Sequence, residues 1–281
     1  MSDQSAEVMR KWKETAKYWS RHNEQIREMF MPLSLTLIEE ANITGGQKVL
    51  DVAGGAGEPS LTIANVVGPT GSVMCTDAVA EMVDAARQEA DRLGITNIEC
   101  QQCSAESIPF ADNLFDAAVS RLGAMFFPDA LAALREMLRV VKPEGALAFA
   151  VWYHNEFNQF MSIPSEVIAR HIESKPAEPD ALDAFRFAEN GKLAGILKEA
   201  GATDVRERVF KFDLEAPISA EEFWRFRSEV SETLRTKLSK LSDDERNQIA
   251  NEVQEGVAPF FPNNQMKLPA QILIVSGKKR G

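Results

Sequence analysis

The chain has 281 residues, 44% of them hydrophobic and 26% charged, with a net charge of −11 from 31 basic and 42 acidic residues. That length allows one large α/β domain with insertions, and the acidic balance argues against a nucleic-acid partner, whose phosphates need clustered Lys and Arg. Three cysteines cannot close a disulfide framework, and no apolar run approaches the ~18–20 residues of a membrane span. A cytoplasmic protein without stable membrane insertion is therefore expected, the more so as Met1-Ser2-Asp3-Gln4 does not open a signal peptide.

Residues 5–30 place Met9, Trp12, Ala16, Trp19 and Ile26 at roughly helical spacing, which predicts one amphipathic helix. From residue 47 the pattern alternates: strand 47–52, helix 59–67, strand 72–77, helix 80–93, strand 97–102, strand 115–120, helix 128–141 and strand 146–152. Such alternation marks a parallel sheet with helices on both faces. Gly68-Pro69-Thr70-Gly71 and Lys142-Pro143-Glu144-Gly145 punctuate it as turns. After Trp152 the rhythm breaks. Residues 153–190 read as helical patches interrupted by Pro164, Pro176 and Pro179, and are taken as an insertion. A helix at 191–200 and a strand near 204–212 return to the sheet. A second insertion, 214–262, carries two capping boxes, Ser219 with Glu222 and Ser242 with Glu245, which predict two helices. The last strand is Gln271-Ile272-Leu273-Ile274-Val275. The expected organisation is an N-terminal helical cap (1–45), a core (46–152), a cap insertion (153–190), a return to the sheet (191–213), a helical cap insertion (214–262) and a final strand with its tail (263–281). Seven strands result, mainly parallel, and both insertions together with the N-terminal helix, whose Trp12 and Trp19 line the cap, are expected to form a lid over the ligand edge.

The first strand runs into Asp51-Val52-Ala53-Gly54-Gly55-Ala56-Gly57-Glu58-Pro59. A strand, a glycine turn and a helix opening at proline is how open α/β sheets hold an adenosine cofactor. Asp51 and Glu58 put negative charge where a dinucleotide would set its pyrophosphate, which favours a cationic cofactor, S-adenosyl-L-methionine. In this reading Gly54, Gly55 and Gly57 permit the turn and the close approach of a methionine group, and Asp51 binds its ammonium. Asp77, followed by Ala78, ends the second strand as a ribose acceptor, and Met82 covers an adenine face. Ser104 and Ala105, before Glu106, border the adenine, while Arg121 and Leu122 line the methionine end. The spacing from glycine turn to Asp77 also suits a nicotinamide cofactor; the joint order of the blocks decides for S-adenosylmethionine.

Val49–Gly57, Ser104-Ala105-Glu106-Ser107-Ile108-Pro109-Phe110, Phe115-Asp116 and Arg139-Val140-Val141-Lys142-Pro143-Glu144-Gly145 resemble the signature blocks of the ubiquinone/menaquinone-biosynthesis methyltransferases. The likeness covers roughly residues 45–152. It implies a Rossmann-like class I methyltransferase fold with an antiparallel last strand, and cofactor contacts at Ala53, Gly55, Ala56, Asp77, Ser104, Ala105 and Arg121. Ala56 departs from the usual threonine. Arg121 departs from a small polar residue, so a backbone contact is expected there, with the guanidinium turned away or paired.

The acceptor side is thinner. His154, after the fifth strand, is the candidate catalytic base, with Tyr153, Tyr18 and His22 behind it. Phe126-Phe127 and Phe260-Phe261 suit an apolar acceptor. Cys100 and Cys103 are read as small packing residues and no metal site is expected. A methyltransferase for a small, apolar or cyclic acceptor, acting at carbon or oxygen, is the favoured reading. A S-adenosylmethionine-binding enzyme of another reaction, and a non-catalytic binder, are the alternatives. The oligomeric state stays open.

Overall fold

The computed structural model describes residues 3–172 and 180–281. Pro176 and Pro179 lie outside them.

The N-terminal region makes two helices, not one: α1 (Asp3–Arg21) and α2 (Asn23–Glu40), separated at His22. The break divides two jobs. α2 buries Leu33 and Leu37 completely and packs on the sheet, so most of it belongs to the core. α1 presents Met9, Trp12, Ala16 and Trp19 to a small cluster with Ala56, Val79 and Met82.

The alternating stretch folds as read: β1 (Lys48–Val52), α3 (Ser60–Val67), β2 (Ser72–Asp77), α4 (Ala80–Leu93), β3 (Ile98–Gln102), β4 (Phe115–Arg121), α5 (Ala130–Val140) and β5 (Val141–Trp152). β5 starts earlier than expected. Its ladder with β4 shifts register between Phe115 and Ala117, and Glu144 at φ 63° takes up the irregularity where glycine is common. Then come α6 (Gln159–His171), α7 (Lys192–Glu199), β6 (Thr203–Ala216), α8 (Ala220–Val230), α9 (Glu232–Leu238), α10 (Asp243–Val257) and β7 (Met266–Lys278). The sheet order is β3-β2-β1-β4-β5-β7-β6, parallel from β3 to β5, with β7 antiparallel to both neighbours. This is the Rossmann-like arrangement expected of the seven strands. The central strands are apolar on both sides because helices cover both faces; Ala117, Ala118 and Val119 are fully buried.

The insertions differ from expectation in detail. Pro164 does not interrupt α6 but lies inside it. A proline cannot donate to the carbonyl four residues back. That carbonyl, of Phe160, instead accepts from Arg227 Nε of α8 at 3.1 Å. The second insertion holds three helices, because Ser231 caps an additional one by accepting from the Leu234 amide. Both expected capping boxes form, at Ser219/Glu222 and Ser242/Glu245. No helix among the described residues is long and apolar enough to cross a membrane.

Candidate active site

A cavity of about 860 Å³ lies over the C-terminal ends of β1, β2 and β4, within the ~300–1,000 Å³ typical of small-molecule sites. Its floor is the glycine turn after β1. Gly54 has no room for a side chain: a Cβ there would lie 2.6 Å from Cys75 Sγ and 2.8 Å from Asp51 Oδ2. Ala53 and Leu122, at the ends of adjacent strands, both adopt left-handed backbone at φ 58°. Such conformations cost of order 1 kcal/mol or more for a side-chain-bearing residue and concentrate at functional sites. The two loops abut so closely that a Cβ on Gly123 would meet Ala53 Cβ at 2.6 Å.

Asp77, at the end of β2, holds the turn open. Its Oδ2 accepts from the Gly55 amide at 3.1 Å and its Oδ1 from the Val79 amide at 2.9 Å. Each oxygen keeps a lone pair, and the residue lines the cavity. Burial raises its pKa to about 6, with the amide bonds pulling the other way. Ala78, Met82, Gln102, Cys103, Ser104, Ala105 and Glu106 continue the wall on this side, and the Ser104 hydroxyl donates to Glu106.

Asp51 stands elsewhere than its expected role requires. It is fully buried beneath the turn, and its Oδ2 accepts from both the amide (3.1 Å) and the hydroxyl (2.6 Å) of Ser60. It does not line the cavity. It ties β1 to the start of α3, and desolvation pushes its pKa up to about 7 against the pull of Ser60 and Arg121. The acid of this turn that does line the cavity is Glu58, only 6% exposed. Its Oε2 accepts from Thr62 Oγ1 at 2.7 Å, while Oε1 has no partner. Burial raises its pKa too. In the sequence Glu58 counts only as a charge, since nothing local says which of two neighbouring acids lines the cavity.

Arg121 ends β4 with its side chain in the cavity wall, 8% exposed. It donates to Ser34 Oγ at 2.8 Å and lies over the Phe30 ring at 5.7 Å. Its charge acts on both Glu58 and Asp51, and burial lowers its pKa. The roof comes from the N-terminal helices. Val8, Met9, Trp12 and Trp19 of α1 and Asn23, Ile26 and Phe30 of α2 line the cavity. Trp12 meets Trp19 edge to face at 5.8 Å and Phe126 at 5.1 Å. Asn23 Nδ2 donates to the Ala56 carbonyl at 2.8 Å, stitching α2 to the turn; this contact, spanning 33 residues, has no local sequence signal.

Two expectations need correction. No residue of 153–190 or 214–262 among those described lines the cavity. The second insertion instead buttresses α1 from behind: Trp19 Nε1 donates to the Val230 carbonyl at 3.4 Å and Arg235 to Thr15 Oγ1 at 2.8 Å. His154 does not line the cavity either. It packs against Tyr153 at 4.4 Å, with Nδ1 4.0 Å from Glu189, because the chain turns away from the ligand edge after Trp152. His22 bonds Glu229 at 2.8 Å, also away from the cavity. Cys75 and Cys100 face each other across the β2–β3 ladder. Among the described residues, no three His, Cys, Asp or Glu are grouped to hold a metal ion.

The sequence profile of the ubiE/COQ5 methyltransferase family matches residues 34–214. The ubiquinone/menaquinone biosynthesis C-methyltransferase UbiE of Klebsiella pneumoniae is 32% identical over 179 residues, covering 60% of this chain and 71% of that protein. The uncharacterized protein Rv1405c of Mycobacterium tuberculosis is 38% identical over 125 residues, or 44% of each chain. The chain thus spans less than half the length of the first curated relatives it matches. The YcgJ protein of Bacillus subtilis superposes with a TM-score of 0.55 at 22% identity, over 89% of this chain and 99% of that one, and shares the fold.

Proposed function

The chain belongs to the ubiE/COQ5 methyltransferase family, a family of methyltransferases that use S-adenosyl-L-methionine, and on that premise we propose that it methylates a small, apolar and cyclic acceptor at carbon or oxygen. The observation that carries this reading is the composition of the cavity wall. Among the described residues, acids (Asp77, Glu58, Glu106, Asp129) line it with Arg121 as the sole cation, and an aromatic roof covers it. An acidic wall suits a cationic sulfonium cofactor and disfavours a pyrophosphate.

The residues fit the cofactor. Asp77 has lone pairs for ribose hydroxyls, Ser104 and Ala105 border the adenine, Met82 covers a face of it, and Ala53, Gly54, Gly55 and Ala56 form the close-approach turn, whereas Gly57, expected among the contacts, lies outside the cavity lining and lets the turn pack close to Leu61 and Ala86. Bound there, S-adenosyl-L-methionine supplies an electrophilic methyl group. The chain's own contribution is orientation and exclusion of water. Trp12, Trp19 and Phe126 wall the acceptor space with apolar surface, and the glycine turn with Arg121 and Leu122 aligns the methionine end. Positioning of this kind supplies much of the rate of an in-line displacement. With His154 outside the cavity, no imidazole serves as base in this reading. A cytoplasmic setting accompanies a small-molecule acceptor.

Calorimetry with S-adenosylhomocysteine, S-adenosylmethionine and NADH tests the assignment. Binding of the first two without NADH is expected. Tight NADH binding with no response to S-adenosylhomocysteine overturns it.

A further inference from the structure

Behind the glycine turn lies a pair of thiols for which methyl transfer has no use. Cys75 and Cys100 are direct partners in the parallel ladder of β2 and β3, so their side chains leave the sheet on the same face. Strands so paired run ~4.7–4.9 Å apart, inside the ~4.4–6.8 Å that separates the Cα atoms of a disulfide. The two thiols share a hydrogen bond, Cys75 donating. Cys103, the C-x-x-C neighbour of Cys100 in the sequence, lies past the end of β3 and lines the cavity instead. The two paired sulfurs differ as a nucleophile and its resolving partner do. Cys100 is partly exposed and Cys75 is buried. The bond from Cys75 pulls the Cys100 thiol below its ordinary range, and Arg87, whose Nη2 donates to the Cys100 carbonyl at 3.1 Å, adds to that pull against burial. Cys75 goes the other way: the shared bond, burial and the charge of Asp51 hold it well above the thiol range. The thiolate is the form that oxidants attack, so Cys100 is the one that reacts first.

We propose that Cys75 and Cys100 form a reversible oxidation site, which hydrogen peroxide closes to a disulfide that loosens the cofactor turn. The Cys100 thiolate attacks one peroxide oxygen: an S–O bond forms, the O–O bond breaks, and the other oxygen leaves as hydroxide and takes up a proton to become water. The sulfur is oxidised by two electrons to a sulfenic acid while the peroxide is reduced. The Cys75 sulfur then attacks the sulfenic sulfur. An S–S bond forms as the S–O bond breaks, and the Cys75 proton leaves with the hydroxide as a second water. The effect on the turn follows from where Cys75 sits. Its Sγ and Asp51 Oδ2 are the nearest atoms beneath Gly54, 2.6 and 2.8 Å from where a Cβ would stand. Drawing Sγ towards Cys100, to the ~2.05 Å of a disulfide, removes the atom against which Gly54 packs. Close-packed interiors transmit such a shift, here to the floor of the cavity. That effect rests on the methyl-donor reading above; the oxidation site itself does not.

The test treats the full chain with hydrogen peroxide, then alkylates, digests and maps it by mass spectrometry. A peptide joining Cys75 to Cys100 is expected, with Cys103 still alkylated, and dithiothreitol should restore all three thiols. Cys75→Ser should stop at a Cys100 sulfenic acid that dimedone captures. Cys100→Ser should give neither a disulfide nor a dimedone adduct at Cys75. A melting curve on each variant checks its fold, and the wild-type map decides the pair by itself where a variant does not fold. Calorimetry should find S-adenosylhomocysteine bound about tenfold more weakly by the oxidised chain, the ~1.4 kcal/mol of modestly disturbed packing, with the original affinity regained on reduction. Both thiols still alkylated after peroxide, or Cys103 bonded in place of either, overturns the oxidation site. A Cys75–Cys100 disulfide with unchanged affinity for S-adenosylhomocysteine overturns its hold on the turn. Failure of the reduced protein to bind S-adenosylhomocysteine overturns the methyl-donor reading, while the map still decides the pair.

Discussion

The glycine turn and the second insertion solve the same problem, burying polar groups, in opposite ways. In the insertion these groups find protein partners. Two capping boxes are complete, and the buried Arg227, its pKa lowered to about 10 by desolvation, donates to the one carbonyl that Pro164 sets free. At the turn, Asp51 Oδ1, Glu58 Oε1 and Ser120 Oγ are buried without partners, and Ala53 and Leu122 are held in left-handed backbone. Unmet hydrogen bonds and strain cost stability, so they persist where something else rewards them. Among the described residues Gln159 Oε1 and Arg186 Nε are also unpartnered, away from the cavity, so it is the coincidence of unmet bonds with left-handed backbone that sets the turn apart.

The comparison breaks most readily in the scaffold. Phe223 is fully buried and meets Phe160 and Phe261 at 5.7 Å each. Phe223→Ala should cost about 3–5 kcal/mol of stability, as large-to-small core changes do, yet leave the affinity of the folded protein for S-adenosylhomocysteine nearly unchanged. A melting curve with calorimetry at low temperature checks both halves; a parallel loss of affinity would put the insertion inside the site.

Asp77→Ala should reverse the pattern. Affinity for S-adenosylhomocysteine should fall by about 1.5–3 kcal/mol, the range for hydrogen bonds to a charged group. Stability should fall less, since the residue serves two amides at a strand end. Unchanged affinity with a collapsed melting temperature would make Asp77 a scaffold residue.

The roof gives a smaller effect. Trp12 also packs on the cluster of Ala56, Val79 and Met82 in the cofactor wall, so Trp12→Ala should weaken S-adenosylhomocysteine by about 1 kcal/mol, the worth of an aromatic contact. In limited proteolysis the ligand should protect α1 and leave α10 indifferent. Protection confined to the insertion would restore it as the lid.

The smallest effect concerns pH. Asp51 and Asp77 hold their protons in the folded chain up to about 7 and about 6, well above the ~3.9 of an unfolded aspartate. Between those limits the native state binds more protons than the unfolded one, so stability falls as pH rises from about 4 to 7. Asp51→Asn should flatten that decline, by about 2–4 °C of melting temperature, the shift ~1 kcal/mol makes in a domain of this size. An unaltered slope would mean that Ser60 and Arg121 already offset the burial.

Local pattern by itself determined much of this protein. The alternation of strand and helix from Lys48 to Trp152, the glycine turn, Asp77 at its strand end and both capping boxes follow from periodicities of two and 3.6 and from residues whose conformational preferences are intrinsic. The tertiary structure decided what depends on direction and distance. Asp51 and Glu58 stand seven residues apart with the same charge, and only the packing of α3 against β1 turns one beneath the loop and the other into the cavity wall. One amphipathic stretch became two helices because α2 had a sheet to cover and α1 had not. The roof came from α1 and α2, since the insertion helices α6, α8 and α10 pack on one another. His154 kept its place at the end of β5 and lost its expected role, because position along a strand does not say which way the chain turns next.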